Sequence, residues 1–258
     1  MTMLDVRDIA VTHTGCTVLS VDHLSFPDAG LTAILGHNGS GKSTLMKVMA
    51  RQLKPGRGQI TLDEAPLSGF TQRELARRIA YLPQQLPEAA GMSVAELVKL
   101  GRFAWRGAIR RWTPEDIAAV DEAIELTGMA RFADRQADSL SGGERQRAWV
   151  AMLLAQAAPR LLLDEPTSAL DLAHQYELVA LLKRLDETAG RSVVVVLHDI
   201  NLAARFADRL IVLRKGRVAF DGKAADLMQP ALLSDLFGVA IDLVDHGPSG
   251  RPVAVVNS

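Results

Sequence analysis

Gly36-His37-Asn38-Gly39-Ser40-Gly41-Lys42-Ser43-Thr44 has the spacing G-x-x-x-x-G-K-S. That spacing wraps backbone N–H groups around a polyphosphate. Gly36, Gly39 and Gly41 let the backbone turn tightly and approach the ligand. Lys42 would reach the β- and γ-phosphates, and the Ser43 hydroxyl would ligate Mg²⁺. A second group of reactive side chains is Asp164-Glu165, directly after Leu161-Leu162-Leu163. Alone, this reads as a strand ending in a solvated acidic turn. Downstream of a phosphate loop, Asp164 would instead hold Mg²⁺, and Glu165 would polarise an attacking water as general base. A third group is Ser141-Gly142-Gly143-Glu144. Serine followed three residues later by glutamate is a capping box, and the two glycines expose N–H groups at a helix start, a second anion site.

These residues need rigid elements to place them. Residues 31–35 form a short apolar run suited to a buried strand, and residues 44–53 carry apolar side chains near helical spacing. Strand, loop and helix then bring the phosphate to a helix N-terminus, where the dipole favours it. Residues 160–163 and 192–197 each hold an unbroken apolar core, at 161–163 and 193–197, as buried parallel strands require. Residues 3–9 alternate as an edge strand would, residues 18–26 alternate again, and with residues 59–62 they predict an antiparallel flank. Residues 71–74 open a short helix through a capping box, and residues 79–82 are the next strand. From about 86 to 157 the pattern becomes all-helical. Ser93 and Thr113 start helices there, the second with Pro114 at its first position. Ile117, Val120, Ile124 and Leu126 are expected to share a face. Residues 172–189 predict a long helix, residues 209–213 and 218–220 a hairpin, and residues 224–228 and 230–237 two short helices. A polar tail containing glycine and proline follows.

The chain has 258 residues, net charge −1 and a single cysteine, Cys16, so an intrachain disulfide is excluded. No global field recruits nucleic acid or an anionic membrane. The first ten residues hold no signal-peptide apolar core, and no apolar run approaches the length of a bilayer span. Membrane association is therefore expected through a partner.

The motif order resembles that of the ATP-binding subunits of ABC transporters, over nearly the whole length. Residues 36–44 match the Walker A motif, Gln84 the Q-loop glutamine and residues 140–146 the signature motif. Asp164 and Glu165 match Walker B with its catalytic glutamate, Ser168-Ala169-Leu170-Asp171 the D-loop, and His198 the switch histidine. The resemblance implies an α/β fold, a P-loop NTPase ABC cassette. It has a RecA-like core with an antiparallel β flank (1–85 and 158–258) and an inserted α-helical subdomain (86–157). It implies ATP and Mg²⁺ as ligands, with Ser43, Gln84 and Asp164 at the metal. Glu165, His198 and Gln84 would serve hydrolysis. Ser141, Gly142, Gly143, Glu144 and Asp171 would face nucleotide held by the Walker A motif of a second copy. In such proteins an aromatic ring before the first core strand stacks on adenine; the matching place is His13.

Within the family, chromosome-maintenance members split the motifs with long coiled coils, and translation-associated members usually carry two cassettes. Exporters often fuse the cassette to membrane helices. A free-standing single cassette suits a bacterial importer. The wording of residues 101–107, 138–149 and 197–205 resembles ATPases for iron-siderophore, haem and cobalamin uptake, nearest to the ferric hydroxamate (ferrichrome-type) group. The short tail with His246 and Pro248 also fits that group. The resemblance implies a homodimer on polytopic permease subunits at the cytoplasmic face of the inner membrane. A substrate-binding protein completes the system, and no nucleic acid takes part. Arg102, Arg106, Arg110 and Arg111, interleaved with Phe103, Trp105 and Trp112, form a basic aromatic patch. It reads as a nucleic-acid surface, a solvated loop or, preferred here, a docking surface for the permease.

Overall fold

Alternating apolar runs and helical stretches build two sheets with one helix between them. A computed structural model describes residues 3–107, 110–246 and 251–257. The first sheet is antiparallel, in the order β2 (Cys16–Pro27), β1 (Met3–His13), β4 (Arg57–Leu62), β5 (Ala65–Pro66). β1 is therefore interior and not the edge strand that its alternation suggests. It pairs with β2 along its length and with β4 on its other side.

The second sheet has the order β10 (Arg217–Gly222), β9 (Arg209–Arg214), β3 (Gly30–Leu35), β8 (Ser192–Val196), β7 (Arg160–Leu163), β6 (Ile79–Leu82). All its pairs are parallel except the β9–β10 hairpin. β7 and β8 are buried at every residue, because both faces of the sheet are covered. Leu31, Ala33 and Leu35 of β3 point into one core, while Ile34 points into the other. That second core lies between the sheets and encloses α1 (Lys42–Met49), which buries Leu45, Met46, Val48 and Met49. Burying an aliphatic side chain of this size contributes about 1.5–3 kcal/mol. The helix at the phosphate loop is thus fixed by packing on two sides.

α2 (Gln72–Ala76) precedes β6. Between β6 and β7 the described residues form helices joined by loops and no strand, apart from one isolated bridge between Ser93 and Gln136. α3 (Val94–Leu100), α4 (Phe103–Arg106), α5 (Pro114–Leu126) and α6 (Gly142–Ala155) lie there, with α3 and α5 packed on α6. α2, α3, α5 and α6 all start from capping boxes with both reciprocal bonds formed. The expected apolar face of α5 holds only in part. Val120 and Ile124 are buried, whereas Ile117 and Leu126 are exposed, because α6 covers a narrower stripe than the pattern suggests. No helix among the described residues is long and apolar enough to cross a membrane.

After β7 come α7 (Leu172–Ala189) and α8 (Ile200–Phe206), and after β10 come α9 (Ala224–Leu227) and α10 (Pro230–Phe237). The C-terminal stretch is not simply a polar tail. β11 (Ile241–His246) and β12 (Arg251–Val256) pair as an antiparallel hairpin, with Ile241 buried against the core. Pro248, part of the expected tail signature, lies outside the described residues.

Candidate active site

β3 ends at Leu35, and the chain turns at once through the phosphate loop into α1. Gly36 has φ 141°, and a Cβ there would lie 2.2 Å from the Leu213 carbonyl oxygen of β9. Only glycine fits that approach. Gly41 has φ 101° and sits under the Val18 carbonyl, so the helix start is pressed against β2. The β9–β10 turn supports the loop from outside, where Gly216 N–H donates to the Ser40 carbonyl at 3.0 Å. Lys42 donates from Nζ to the carbonyls of Gly36 at 2.8 Å and His37 at 3.0 Å, which lays its ammonium along the mouth of the loop. Burial lowers its pKa, while the charges of Glu165 and Asp164 act the other way.

The strand neighbouring β8 delivers the carboxylates. Asp164 follows β7, is fully buried and accepts a hydrogen bond from Ser43 Oγ at 3.0 Å. Its other oxygen, Oδ2, is buried with no hydrogen-bond partner. Burial pushes the Asp164 carboxyl above the usual range. A buried carboxylate oxygen without a donor asks for an explanation. A divalent cation at Ser43 and Asp164 provides one, since a hydroxyl, a carboxylate and phosphate oxygens make a hard-oxygen donor set. Among the described residues no group of three or more His, Cys, Asp or Glu side chains could hold a metal alone, so phosphate or water must complete such a shell.

Glu165 takes up a left-handed backbone, φ 54°, which is uncommon for a non-glycine residue and aims its side chain out of the strand line. Gln84, two residues beyond β6, donates from Nε2 to Glu165 Oε2 at 2.6 Å. His198, after β8, places Nε2 2.9 Å from the same oxygen. Three residues from three strand ends thus converge at one carboxylate beside the phosphate loop, at the C-terminal edge of the parallel sheet, where open α/β sheets bind ligands.

Two cavities open on this edge. One, of about 430 Å³, is lined by Thr12, His13, Val18, Asn38, Gly39 and residues 41–44, with Gln84 and Glu165 at its far side. His13 therefore reaches the same cavity as Lys42, carried there by the end of β1. Thr12 and Val18 were not legible as lining residues, because no motif marks them. The second cavity, of about 470 Å³, lies among Gly36, His37, Asn38, His198 and Phe237. Phe237 also escaped the sequence reading, being far from every motif.

The signature residues lie elsewhere. Ser141 caps α6 and is exposed, and neither it nor residues 142–144 line either cavity. The Glu144 carboxylate accepts from Ser141 N–H at 3.0 Å and from the Ser141 hydroxyl at 2.9 Å. These bonds hold it well below the usual glutamate range. Its side chain is engaged in the cap. The D-loop packs beside this helix end: a Cβ on Gly143 would lie 3.3 Å from Leu170 Cδ2. Asp171 caps α7, accepting from His174 N–H at 2.9 Å.

The basic aromatic patch is smaller than it reads in sequence. Arg102 is buried, donating to Asp116 at 2.8 Å and to the Ala155 carbonyl at 3.0 Å. Trp105 donates to the Gln156 carbonyl at 2.7 Å, while Arg77 stacks on its ring. What remains outward is Phe103, Arg110 and Arg111, all exposed, with Arg106 stacked on the half-buried Trp112.

Residues 19–168 match the ABC transporter family. The chain is 38% identical to the iron(3+)-hydroxamate import ATP-binding protein FhuC of Bacillus subtilis (strain 168), covering 99% of this chain and 95% of that protein. It is 44% identical to the hemin import ATP-binding protein HmuV of Streptomyces coelicolor, covering 86% and 79% respectively. A solved dimeric bacterial ABC transporter cassette superposes with a TM-score of 0.77 at 31% identity, over 86% of this chain and 98% of that one. With its motifs in the family's order and its fold in the family's form, the chain belongs to the ABC transporter family as an ATP-binding cassette.

Proposed function

We propose that this protein is the ATP-hydrolysing subunit of a bacterial importer for an iron(III)-siderophore, a ferric hydroxamate in the first instance. The observation that carries the hydrolytic part is the Glu165 carboxylate, held on one oxygen by Gln84 and His198 at the mouth of the phosphate loop. In this reading the loop N–H groups and Lys42 bind the β- and γ-phosphates, and His13 stacks on adenine. Ser43 and Asp164 would hold Mg²⁺, with Gln84 beside it. The ion, when bound, neutralises charge on the phosphate oxygens. Glu165 accepts a proton from water as the water oxygen bonds to the γ-phosphorus, and ADP departs with the electron pair of the broken P–O bond. His198 orients Glu165 and faces the γ-phosphate.

Ser141 and Gly142 are exposed at the start of α6, and residues 141–144 line neither cavity beside the phosphate loop. This supports a two-fold dimer in which they, with Asp171, close over nucleotide held by the partner's loop. Residues 86–157 would move as a helical subdomain, with Gln84 at the junction. Docking on a polytopic permease places the protein peripherally at the cytoplasmic face of the inner membrane, and a substrate-binding protein delivers the cargo. The exposed Phe103 and the Arg106–Trp112 pair suit the permease contact better than nucleic acid, given the net charge of −1.

The cargo assignment rests on the coverage and identity of the FhuC match; the higher identity to HmuV over a shorter stretch favours haem as the second reading. Uptake of radiolabelled ferric hydroxamate, haem and cobalamin in cells with and without this chain tests both. Loss of hydroxamate uptake alone is the expected result. Loss of haem uptake with intact hydroxamate uptake would replace the first reading by the second.

A further inference from the structure

The C-terminal segment plays no part in the chemistry described above, yet it touches both loops that frame the hydrolytic end of the site. Those loops leave the sheet side by side. Leu197 N–H donates to the Ile34 carbonyl at 3.1 Å, extending the β3–β8 pairing up to the points where residues 36–38 and 198–199 diverge. α10 buries Leu233 and Leu236 in the core and ends on Phe237. The Phe237 ring stands edge-on to the His37 ring, with centroids 5.9 Å apart at 61°. The same ring shares a cavity wall with His198. The chain then turns at Gly238, φ 69°, and is tied back by Ile241 N–H donating to Ser234 Oγ at 2.9 Å. Through the β11–β12 hairpin it reaches α8, the helix that follows His198. There Asn201 Nδ2 donates to the Ala254 carbonyl at 3.0 Å, and Ala254 N–H donates to Asn201 Oδ1 at 2.8 Å.

We infer that Phe237 is a positioning residue for ATP hydrolysis. Its ring and the Asn201 clamp brace the turn at His37 and the loop bearing His198 into one unit. The inference rests on the ATPase reading of the site. Edge-to-face aromatic pairs fix relative orientation beyond what area burial provides. The two bonds of the clamp add a rung to β12 from a side chain of α8. Each end of the brace is anchored in packed core, so a shift at one loop is resisted at the other. The small distances that matter here, 2.9 Å from His198 to Glu165, are those that catalysis punishes when lost. Phosphate affinity depends on the loop N–H groups and Lys42, and Phe237 meets this loop through the His37 ring rather than through those groups.

The test is steady-state ATP hydrolysis by the purified full-length chain, with ATP binding measured separately by titration calorimetry. Phe237→Ala should lower kcat about tenfold with KM and affinity within about twofold, and Phe237→Tyr should restore most of the loss. In a His37→Ala background Phe237→Ala should add little, because the pair acts as one unit. Asn201→Ala loosens the other end and should lower kcat about threefold with the same KM pattern, which keeps a test available should Phe237→Ala fail to fold. Unchanged kcat in Phe237→Ala or in Asn201→Ala would overturn the inference. So would a loss in Phe237→Ala that appears equally in affinity, or that adds fully to His37→Ala. Absence of hydrolysis by the wild-type chain while Phe237→Ala binds ATP normally would instead refute the ATPase reading, and this inference with it.

Discussion

The phosphate loop and the start of α6, the second an anion site only in the proposed dimer, use the same element in opposite settings. Both present backbone N–H groups of glycine-rich helix starts. At the phosphate loop the side chains gathered come from one chain: α1 is sheathed between two sheets, and Lys42, Ser43, Asp164, Glu165, Gln84 and His198 converge on its mouth. At α6 the N-terminus is exposed, its glutamate is occupied by the cap, and its neighbours are Ala169 and Leu170 of the D-loop. In the proposed reading one site serves reaction and the other recognition. Burial fixes the geometry of the first within the chain, and exposure leaves the second open to the partner's nucleotide in the proposed dimer.

Substitutions that attack one site at a time sharpen this contrast. The largest expected effect is on the reactive site: Glu165→Gln should slow hydrolysis by about 10²–10⁴-fold while ATP still binds. Full-rate turnover in that variant would remove Glu165 from the role. Next comes the recognition site. In the Glu165→Gln background, Ser141→Arg should abolish ATP-driven dimers measured by light scattering, with ATP affinity of the monomer preserved. Normal dimers would erase the distinction between the two helix starts. Lys42→Ala should weaken ATP binding by about 10–100-fold, the worth of charge-assisted hydrogen bonds to phosphate, read by calorimetry. An unchanged affinity would mean that the loop backbone alone holds the nucleotide.

The smallest effect concerns the cap itself. The Ser141 N–H and hydroxyl hold Glu144 below the ordinary glutamate value of 4.5. Glu74 and Glu96 are held in the same way by Thr71 and Ser93. In each case the unfolded chain binds the proton more readily than the folded one. Stability from these caps is therefore complete above the unfolded value and is lost as pH falls through the folded one. Melting temperatures should drop as the pH is lowered below about 4.5, and Glu144→Gln should make that drop shallower. An identical acid profile would show that the carboxylate contributes nothing to the cap.

The capping boxes, the phosphate loop and the strand before Asp164 were legible because each is local: the interacting groups lie within a few residues, and their spacing is their geometry. The same holds for the buried strands, whose unbroken apolar runs leave no solvated face. Arg102 shows where such reading stops. Its neighbours in sequence suggest a charged surface, but Asp116 and the end of α6 enclose it. The hairpin of β11 and β12 was missed for a related reason, since a two-stranded element on the core carries little alternation.

By itself the sequence determined the inventory: a phosphate loop, two carboxylates after an apolar strand, a glycine-rich cap and a family whose motifs occur in this order. These are properties of contiguous residues and survive without knowing the fold. Only the tertiary structure decided that Gln84 and His198 share one oxygen of Glu165. The same is true of β1 lying inside its sheet, and of Phe237 coming from the far end of the chain to lie against His37. Those relations depend on strand order. Strand order is set by which apolar faces can be buried together, a sum over the whole molecule that no local spacing contains.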